Sequence, residues 1–215
     1  DIEEKKMTQE DRTKYKQAIQ QMKKVNYEEK AKANHAASLN AQKLWDQANE
    51  APSTHPYLVA KKVDAFGIKI LDMKLIIPLR DEKGKLWNIQ QVFENGEKRF
   101  LKYGKVKGLF HMIGDPTDII FIGEGYATMA SVHAATGKAC VVAFNAGNLR
   151  DVCSQVRASY PDNEIVVCAD DDHLTEGNPG LTKARKAALE IGAGVAVPDF
   201  GETRGSKETD FNDLH

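Results

Sequence analysis

The sequence predicts an α/β protein: a parallel sheet flanked by helices, preceded by a small antiparallel β subdomain and an N-terminal helical arm. Three observations carry this. From Ile119 onward, short apolar runs alternate with helical segments in a β-α-β-α-β-α-β rhythm, the spacing of right-handed crossovers in a parallel sheet. Between Leu75 and Tyr103 the pattern is strand, turn, strand, with Asn95-Gly96 as a hairpin signal. Up to Glu50 there is no Gly or Pro, and Lys, Gln, Glu and Ala dominate, which favours helix. The expected division is 1–52 for the arm, 53–115 for the antiparallel subdomain and 116–215 for the α/β domain.

Composition narrows the functional classes. At 215 residues the chain can hold one full domain plus an appendage, and its 41% hydrophobic content is ordinary. A net charge of −1 gives no global field to collect nucleic acid, so any such binding needs a local patch. The three cysteines, Cys140, Cys153 and Cys168, form no Cys-x-x-Cys pair, which fits a reducing, cytoplasmic setting. No apolar run approaches the ~20 residues that cross a bilayer. The chain starts at Asp1 rather than Met and is expected to be a fragment of a longer protein.

In the arm, Tyr15, Ile19, Met22 and Val25 fall at helical spacing, as do Ala37, Ala41, Leu44, Trp45 and Ala48. Thr8 with Asp11, and Asn26 with Glu29, read as capping boxes, so two helices with a break near Asn26 are expected, packed on the main domain by their apolar face. Ala51-Pro52-Ser53 ends the arm. A short helix follows with Pro56 at its first position and His55 as a capping residue. Leu75–Leu79, Leu86–Phe93 and Lys98–Tyr103 form the meander, with Asp81-Glu82-Lys83-Gly84 as its first turn and Leu109–Ile113 as one more short strand.

The α/β segment is read as a strand Ile119–Ile122, a helix to about Ala135 closed by Gly137, and a strand Cys140–Phe144. Asn145-Ala146-Gly147-Asn148 is a loop suited to capping a helix Leu149–Ser159. A strand Ile165–Ala169, a helix Leu181–Ile191 and a strand Val195–Val197 complete it. Buried on both faces, such strands make Cys140 and Cys168 core residues.

Glu124 stands where the first of these strands stops, and Asp170-Asp171-Asp172 follow the third. In a parallel sheet both ends lie on one edge, where α/β sheets place their ligands. Three consecutive aspartates repel unless a cation lies among them. A hard cation with oxygen ligands answers this, and magnesium keeps waters for a phosphate substrate. Asp170 and Asp172 point to one side of an extended chain and Asp171 to the other. Asp210 and Asp213, near the end, are candidate further contributors. His111, His133 and His173 have no ligand spacing; His133 reads as structural, and His173 adjoins the triplet. Lys98, Arg99, Lys102, Lys105 and Lys107, mixed with Phe100 and Tyr103, read either as a solvated edge or as a patch that tracks phosphates.

Glu124-Gly125-Tyr126 after one apolar strand and Asp170-Asp171-Asp172 after another resemble a Toprim domain, the fold shared by DnaG-type primases, topoisomerases and some nucleases. The finer resemblance is to primases of plasmids and phages. It rests on Gln90-Gln91, Lys98-Arg99-Phe100-Leu101, Asn145-Ala146-Gly147-Asn148-Leu149 and the closing Asp210-Phe211-Asn212-Asp213, and it covers about Pro56 to the end. The resemblance implies a DNA primase core for plasmid or phage replication or conjugative transfer, making short RNA primers on a single-stranded DNA template from ribonucleoside triphosphates. It implies Glu124, Asp170 and Asp172 as catalytic residues, and these with Asp213 as ligands for Mg²⁺, with Mn²⁺ as an alternative ion. It implies Arg99, Lys102, Lys105, Lys107 and Asn145 as nucleic-acid or nucleotide contacts. Primases of this class usually carry a zinc-binding domain. This segment has no such cysteine set, so no zinc is expected here, and a zinc domain, helicase or relaxase would be a partner elsewhere in the parent protein. A Toprim nuclease or topoisomerase, and a non-catalytic nucleic-acid-binding module of a larger replication protein, are the competing readings.

Overall fold

The computed structural model describes residues 8–202 and 204–214. Helix α1 (Gln9–Gln47) opens on the expected capping box: the Thr8 hydroxyl accepts the Asp11 N–H at 3.2 Å, and Thr8 N–H donates back to the Asp11 carboxylate at 3.3 Å. The break expected at Asn26 does not occur. Without Gly or Pro nearby, a helix already nucleated adds one hydrogen bond per residue across Asn26, which outweighs a possible second start. Only the last part of α1 is packed. Ala37, Ser38 and Ala41 are buried, with Ala41 against Ile76, Leu86 and Ile89, whereas Tyr15, Met22 and Val25 stay exposed. The expected packed arm is therefore, over its first two-thirds, an overhang.

The first sheet is an antiparallel run of β1 (Asn49–Glu50), β2 (Lys69–Leu71), β3 (Lys74–Arg80), β4 (Leu86–Val92) and β5 (Lys98–Phe100) in that order. β1 and β2 escaped the sequence reading because two or three residues show no periodicity. Between them sits α2 (Pro56–Lys61), capped as expected by His55, whose Nδ1 accepts the Tyr57 N–H at 3.2 Å.

Strand β6 (His111–Ile113) was expected to extend the meander. It instead pairs antiparallel with β8 at the edge of the second sheet. A single bridge, in which Arg80 and Phe110 exchange backbone hydrogen bonds of 2.9 and 3.0 Å, links it back to β3. The second sheet runs β10-β9-β7-β8-β6, built from β7 (Ile119–Gly123), α3 (Tyr126–Thr136), β8 (Ala139–Val142), α4 (Leu149–Ser159), β9 (Glu164–Cys168), α5 (Pro179–Ile191) and β10 (Gly194–Ala196). β7, β8, β9 and β10 are parallel. The chain goes from β7 to β8 on one side and then crosses to β9 on the other, so the topological switch lies beside β7.

Helix α3 is buried along most of its length, wedged between this sheet and the meander, with Met129 and Val132 in one cluster with Leu75, Ile77, Cys140 and Val142. Helices α4 and α5 cover the other face, where Val152, Val156, Ala184 and Ala188 meet Ile120, Ile122 and Val167.

Asn148 holds the N-cap position of α4, but its side chain makes no cap hydrogen bond there. Its buried amide donates to the carbonyls of Leu109 (3.0 Å) and Ala143 (2.9 Å) and accepts the Gly108 N–H (2.7 Å), clamping the approach to β6 onto the end of β8. Asn148→Ala is expected to strand these three groups and lower stability by ~3 kcal/mol, or roughly 6–12 °C in Tm by thermal denaturation. A shift below 1 °C would mean the clamp is dispensable.

Candidate active site

Glu124 owes its place to the sheet. Beyond the last paired residues of β7 and β8, Ala143 N–H donates to Gly123 O and Phe144 N–H to Glu124 O, each at 2.8 Å, so the ladder runs on past the strand ends. Phe144 itself is left-handed, at φ +71°. Gly125 then caps α3, and Tyr126 is locked by its hydroxyl, which accepts from Phe66 N–H (2.6 Å) and donates to Asp64 O (3.0 Å). Glu124 is thus held at the mouth of the switch-point crevice, with Asp170 following β9 beside it.

Both line a cleft of about 200 Å³ together with Asp210, Lys61, Lys98, Tyr57 and Phe144. One oxygen of each, Glu124 Oε1 and Asp170 Oδ1, is buried without a hydrogen-bond partner. Burial first, and then the charge of Asp172, pushes the Glu124 carboxyl up to about 7. Burial first, and then Glu124, Asp210 and Asp172, pushes Asp170 up to about 8, partly offset by Lys98. Asp172 is oriented by the start of α5, where Gly180 N–H donates to its Oδ2 at 3.1 Å.

Asp171 turns away, as alternation requires, and becomes an anchor. Its carboxylate accepts from the Asn178 amide and forms an ion pair with Arg204, and its N–H donates to Thr209 O at 2.7 Å. Arg204 also donates to the carbonyls of Asp171 (2.8 Å) and Glu208 (2.7 Å). The C-terminal turn is thereby docked on the triplet. It is fastened again by the buried Asn212 amide, which donates to Lys61 O (2.7 Å) and Ser131 Oγ (2.9 Å).

That docking corrects one expectation. Asp213 does not line the cleft. Its Oδ2 accepts the N–H groups of Thr209 (2.9 Å) and Asp210 (3.2 Å), and its Oδ1 stands 3.9 Å from Lys61 Nζ. Asp213 shapes the turn, and Asp210 is the residue that the turn delivers to the cleft.

The basic residues divide likewise. Lys98, a member of the basic cluster, lines the cleft, and so does Lys61, which the sequence did not single out. The signal for Lys98 was available in strand alternation, which puts Lys98 and Phe100 on one face of β5 and Arg99 on the other. Desolvation of its ammonium group lowers the Lys98 pKa, opposed by the charges of Asp210 and Asp170. Arg99 lies off the cleft, paired with Glu97 (2.6 Å) and stacked over Phe93 (5.2 Å). Lys102 is exposed, Lys105 sits 5.2 Å over the Trp87 ring, and Lys107 pairs with Asp151 at 3.5 Å. Asn145 is exposed in the turn closed by Asn148 N–H to Asn145 O (3.0 Å). None of these five lines the carboxylate cleft. Among the histidines, His111 is buried and pushed down to about 4 by burial, and His133 Nδ1 bonds Lys138 O at 2.7 Å. His173 is exposed beside the triplet.

Does this donor set fit a metal? Among the described residues, no three carboxylate, imidazole or thiol groups close on one point. The donors are all oxygens, two of them buried and unpartnered, and the charges repel one another. That chemistry fits a hard divalent cation which keeps much of its water shell and uses only one or two carboxylates, rather than zinc in an all-protein cage.

A parallel sheet with an acidic switch-point crevice is the general ligand-site arrangement of open α/β domains. Residues 119–215 match the Toprim domain family. Two curated relatives, both named DNA primase TraC and both from Escherichia coli, resemble the chain more broadly. One is 39% identical over 185 residues, 78% of this chain and 17% of the relative; the other is 38% identical over 168 residues, 73% of this chain and 12% of the relative. The chain therefore spans less than a fifth of the length of these relatives. Among solved structures, the primase fragment of the bacteriophage T7 primase-helicase protein matches with a TM-score of 0.53 over 74% of this chain and 68% of that one, at 16% identity, which is a likeness of fold. Proteins of this family generally work with a divalent metal ion. Among the described residues no helix is long and apolar enough to cross a membrane.

Proposed function

We propose that this chain is the catalytic core of a DNA primase, joining ribonucleotides on a single-stranded DNA template. The observation that carries the reading is the pair of buried, unpartnered carboxylate oxygens on Glu124 and Asp170 in a cleft that also holds Lys61 and Lys98. Acids gathered to bind a cation and lysines gathered to bind phosphate are the two halves of a nucleotidyl-transfer site. Likeness to proteins named DNA primase TraC supports it, and so does the T7 primase-like fold.

In this reading Glu124, Asp170 and Asp172 hold Mg²⁺, with Asp210 in the place first expected for Asp213. The ion, when bound, neutralises triphosphate charge and makes a ribose 3′-hydroxyl easier to deprotonate. The chain's own residues do the rest. Lys61 and Lys98, both lining the cleft, hold the phosphates. Glu124, at the edge of the cleft, also takes and returns a proton. Asp171 and Arg204 keep the triplet and the C-terminal turn in register. Lys102, Lys105, Lys107 and Asn145, outside the cleft, guide the template or incoming nucleotide, and Arg99 adds to this once freed from Glu97. The three buried free cysteines fit work in the cytoplasm. A helicase, relaxase or zinc-binding domain of the parent protein is the expected partner.

The test supplies single-stranded DNA, labelled ribonucleotides and Mg²⁺ and resolves the products by size. Short RNA products are expected from the native chain. Asp172→Asn, which keeps an acceptor for Gly180 N–H, is expected to abolish them with an unchanged circular dichroism spectrum. Full primer yield in that variant would overturn the site, and cleaved template in place of primers would move the reading to a nuclease.

A further inference from the structure

The overhang of α1 has a counterpart across a cleft. Asn26, Glu29, Lys30, Ala33 and Asn34 on the helix face Tyr103 and Gly104 of the loop after β5, around a volume of about 470 Å³ distinct from the carboxylate cleft. Both walls are built in ways that packing alone does not require.

On the loop side, Tyr103 is 68% exposed yet held at φ +63°, a conformation that turns normally give to Gly or Asn. The turn is closed by Gly104 N–H to Leu101 O at 3.1 Å. Its base is the buried Asn88, whose Oδ1 accepts the N–H groups of Leu101 (3.2 Å) and Ile89 (2.8 Å) while its Nδ2 donates to Lys105 O (3.1 Å). Gly104 admits no side chain, since a Cβ there would lie 2.3 Å from Asn88 Nδ2. An internal scaffold therefore fixes both ends of a loop whose tip is an aromatic ring in solvent, with Lys102 Nζ 4.8 Å above it.

On the helix side, the face that buries Ala37 and Ala41 continues toward the N-terminus through Lys30, Tyr27, Asn26, Lys23, Ile19 and Lys16 at 100° per residue. That face carries no acid. Glu29 lies on its flank at the cleft, and Glu10 and Glu28 are on the opposite side. Lys16, Lys23 and Lys30 repeat every seven residues, about 10.5 Å of rise apart. The stripe that is apolar over the sheet thus becomes basic where the helix overhangs.

We propose that α1 and the Tyr103 loop form a channel for single-stranded nucleic acid, with Tyr103 stacking on a base and Lys23, Lys30 and Lys102 tracking the backbone. Exposed aromatic rings between lysines are how sequence-tolerant single-strand sites are made, because every base offers a π-face. This rests on the primase reading for its biological sense but not for its chemistry.

The experiment measures binding of a fluorescein-labelled oligo-dT 20-mer to the full chain by fluorescence anisotropy across a salt series. Tyr103→Gly, which removes the ring and suits the backbone, is expected to weaken binding about tenfold, and Tyr103→Phe to stay close to native. Lys30→Glu is expected to weaken binding and flatten the salt dependence. Lys32→Glu, the same charge change on the far side of the helix, is expected to do so markedly less. Native affinity in Tyr103→Gly, or equal losses in Lys30→Glu and Lys32→Glu, would overturn the channel, as would a lack of oligo-dT binding by the native chain. Primer synthesis measured alongside separates the two readings: a native chain that makes primers while Tyr103→Gly binds normally loses only the channel, and a chain that binds through Tyr103 but makes no primers loses only the primase assignment.

Discussion

Asp170→Asn is expected to make the metal-free protein more stable and, in the same stroke, inactive. The carboxyl is raised to about 8 from an ordinary value near 4, and Glu124 beside it to about 7. A carboxylic acid whose pKa is raised on folding penalises the charged native form. The unfolded chain therefore releases its protons first as pH rises, and stability is lost between about pH 4 and 8 rather than gained. Asn at position 170 removes one of the repelling charges at nearly constant volume. At pH 8 the variant should gain ~2 kcal/mol, roughly 4–8 °C in Tm, while primer synthesis falls by three orders of magnitude or more. At pH 5 the gain should shrink toward zero. Mg²⁺ should raise the Tm of the native chain at pH 8 through its binding to the folded state and leave the variant nearly unmoved. A native chain whose Tm rises from pH 5 to 8 without metal would refute the repulsive cluster.

Gly180→Ala is the second large effect, and it acts from outside the carboxylates. Gly180 lies in the first turn of α5, and a Cβ built on it would meet Asp170 O at 2.6 Å and Asp172 Oδ2 at 2.9 Å. Neither is the free end of a flexible chain, since the first is backbone and the second is held by Gly180 N–H itself. The triplet must shift, and a misplacement of about 1 Å is worth ~100-fold in rate. We expect at least that loss in primer synthesis with a Tm decrease of only a few degrees. Gly177→Ala, where no atom lies within 4 Å, probes the neighbouring loop with backbone strain alone, because its φ is +75°. Activity retained in Gly180→Ala would show that the triplet is not held by the start of α5.

The α/β half was legible because each of its elements carries its own signal. Ile119–Gly123, Leu149–Ser159 and the helix ending at Gly192 are periodic, apolar and bounded by Gly, Pro or Asn. Local sequence was less informative where partners are distant. Asn26 has a capping pattern, but helix propagation across it wins. Leu109–Ile113 reads as a strand, yet which sheet it joins depends on Asn148 about forty residues later. Asn148 itself looks like a helix cap until its amide is found bonded to three backbone groups.

Sequence alone determined the fold class, the Glu124 and Asp170–Asp172 positions at strand ends and the outward turn of Asp171, because alternation and the parallel crossover are local rules. Tertiary structure decided who else stands in the cleft. Asp210 rather than Asp213 arrives there because Arg204 and Asn212 dock the C-terminal turn, and Lys61 and Lys98 arrive from α2 and β5 because the meander packs on α3. Such placements follow from contacts between residues far apart in the chain, whose energies exist only once the fold has brought them together.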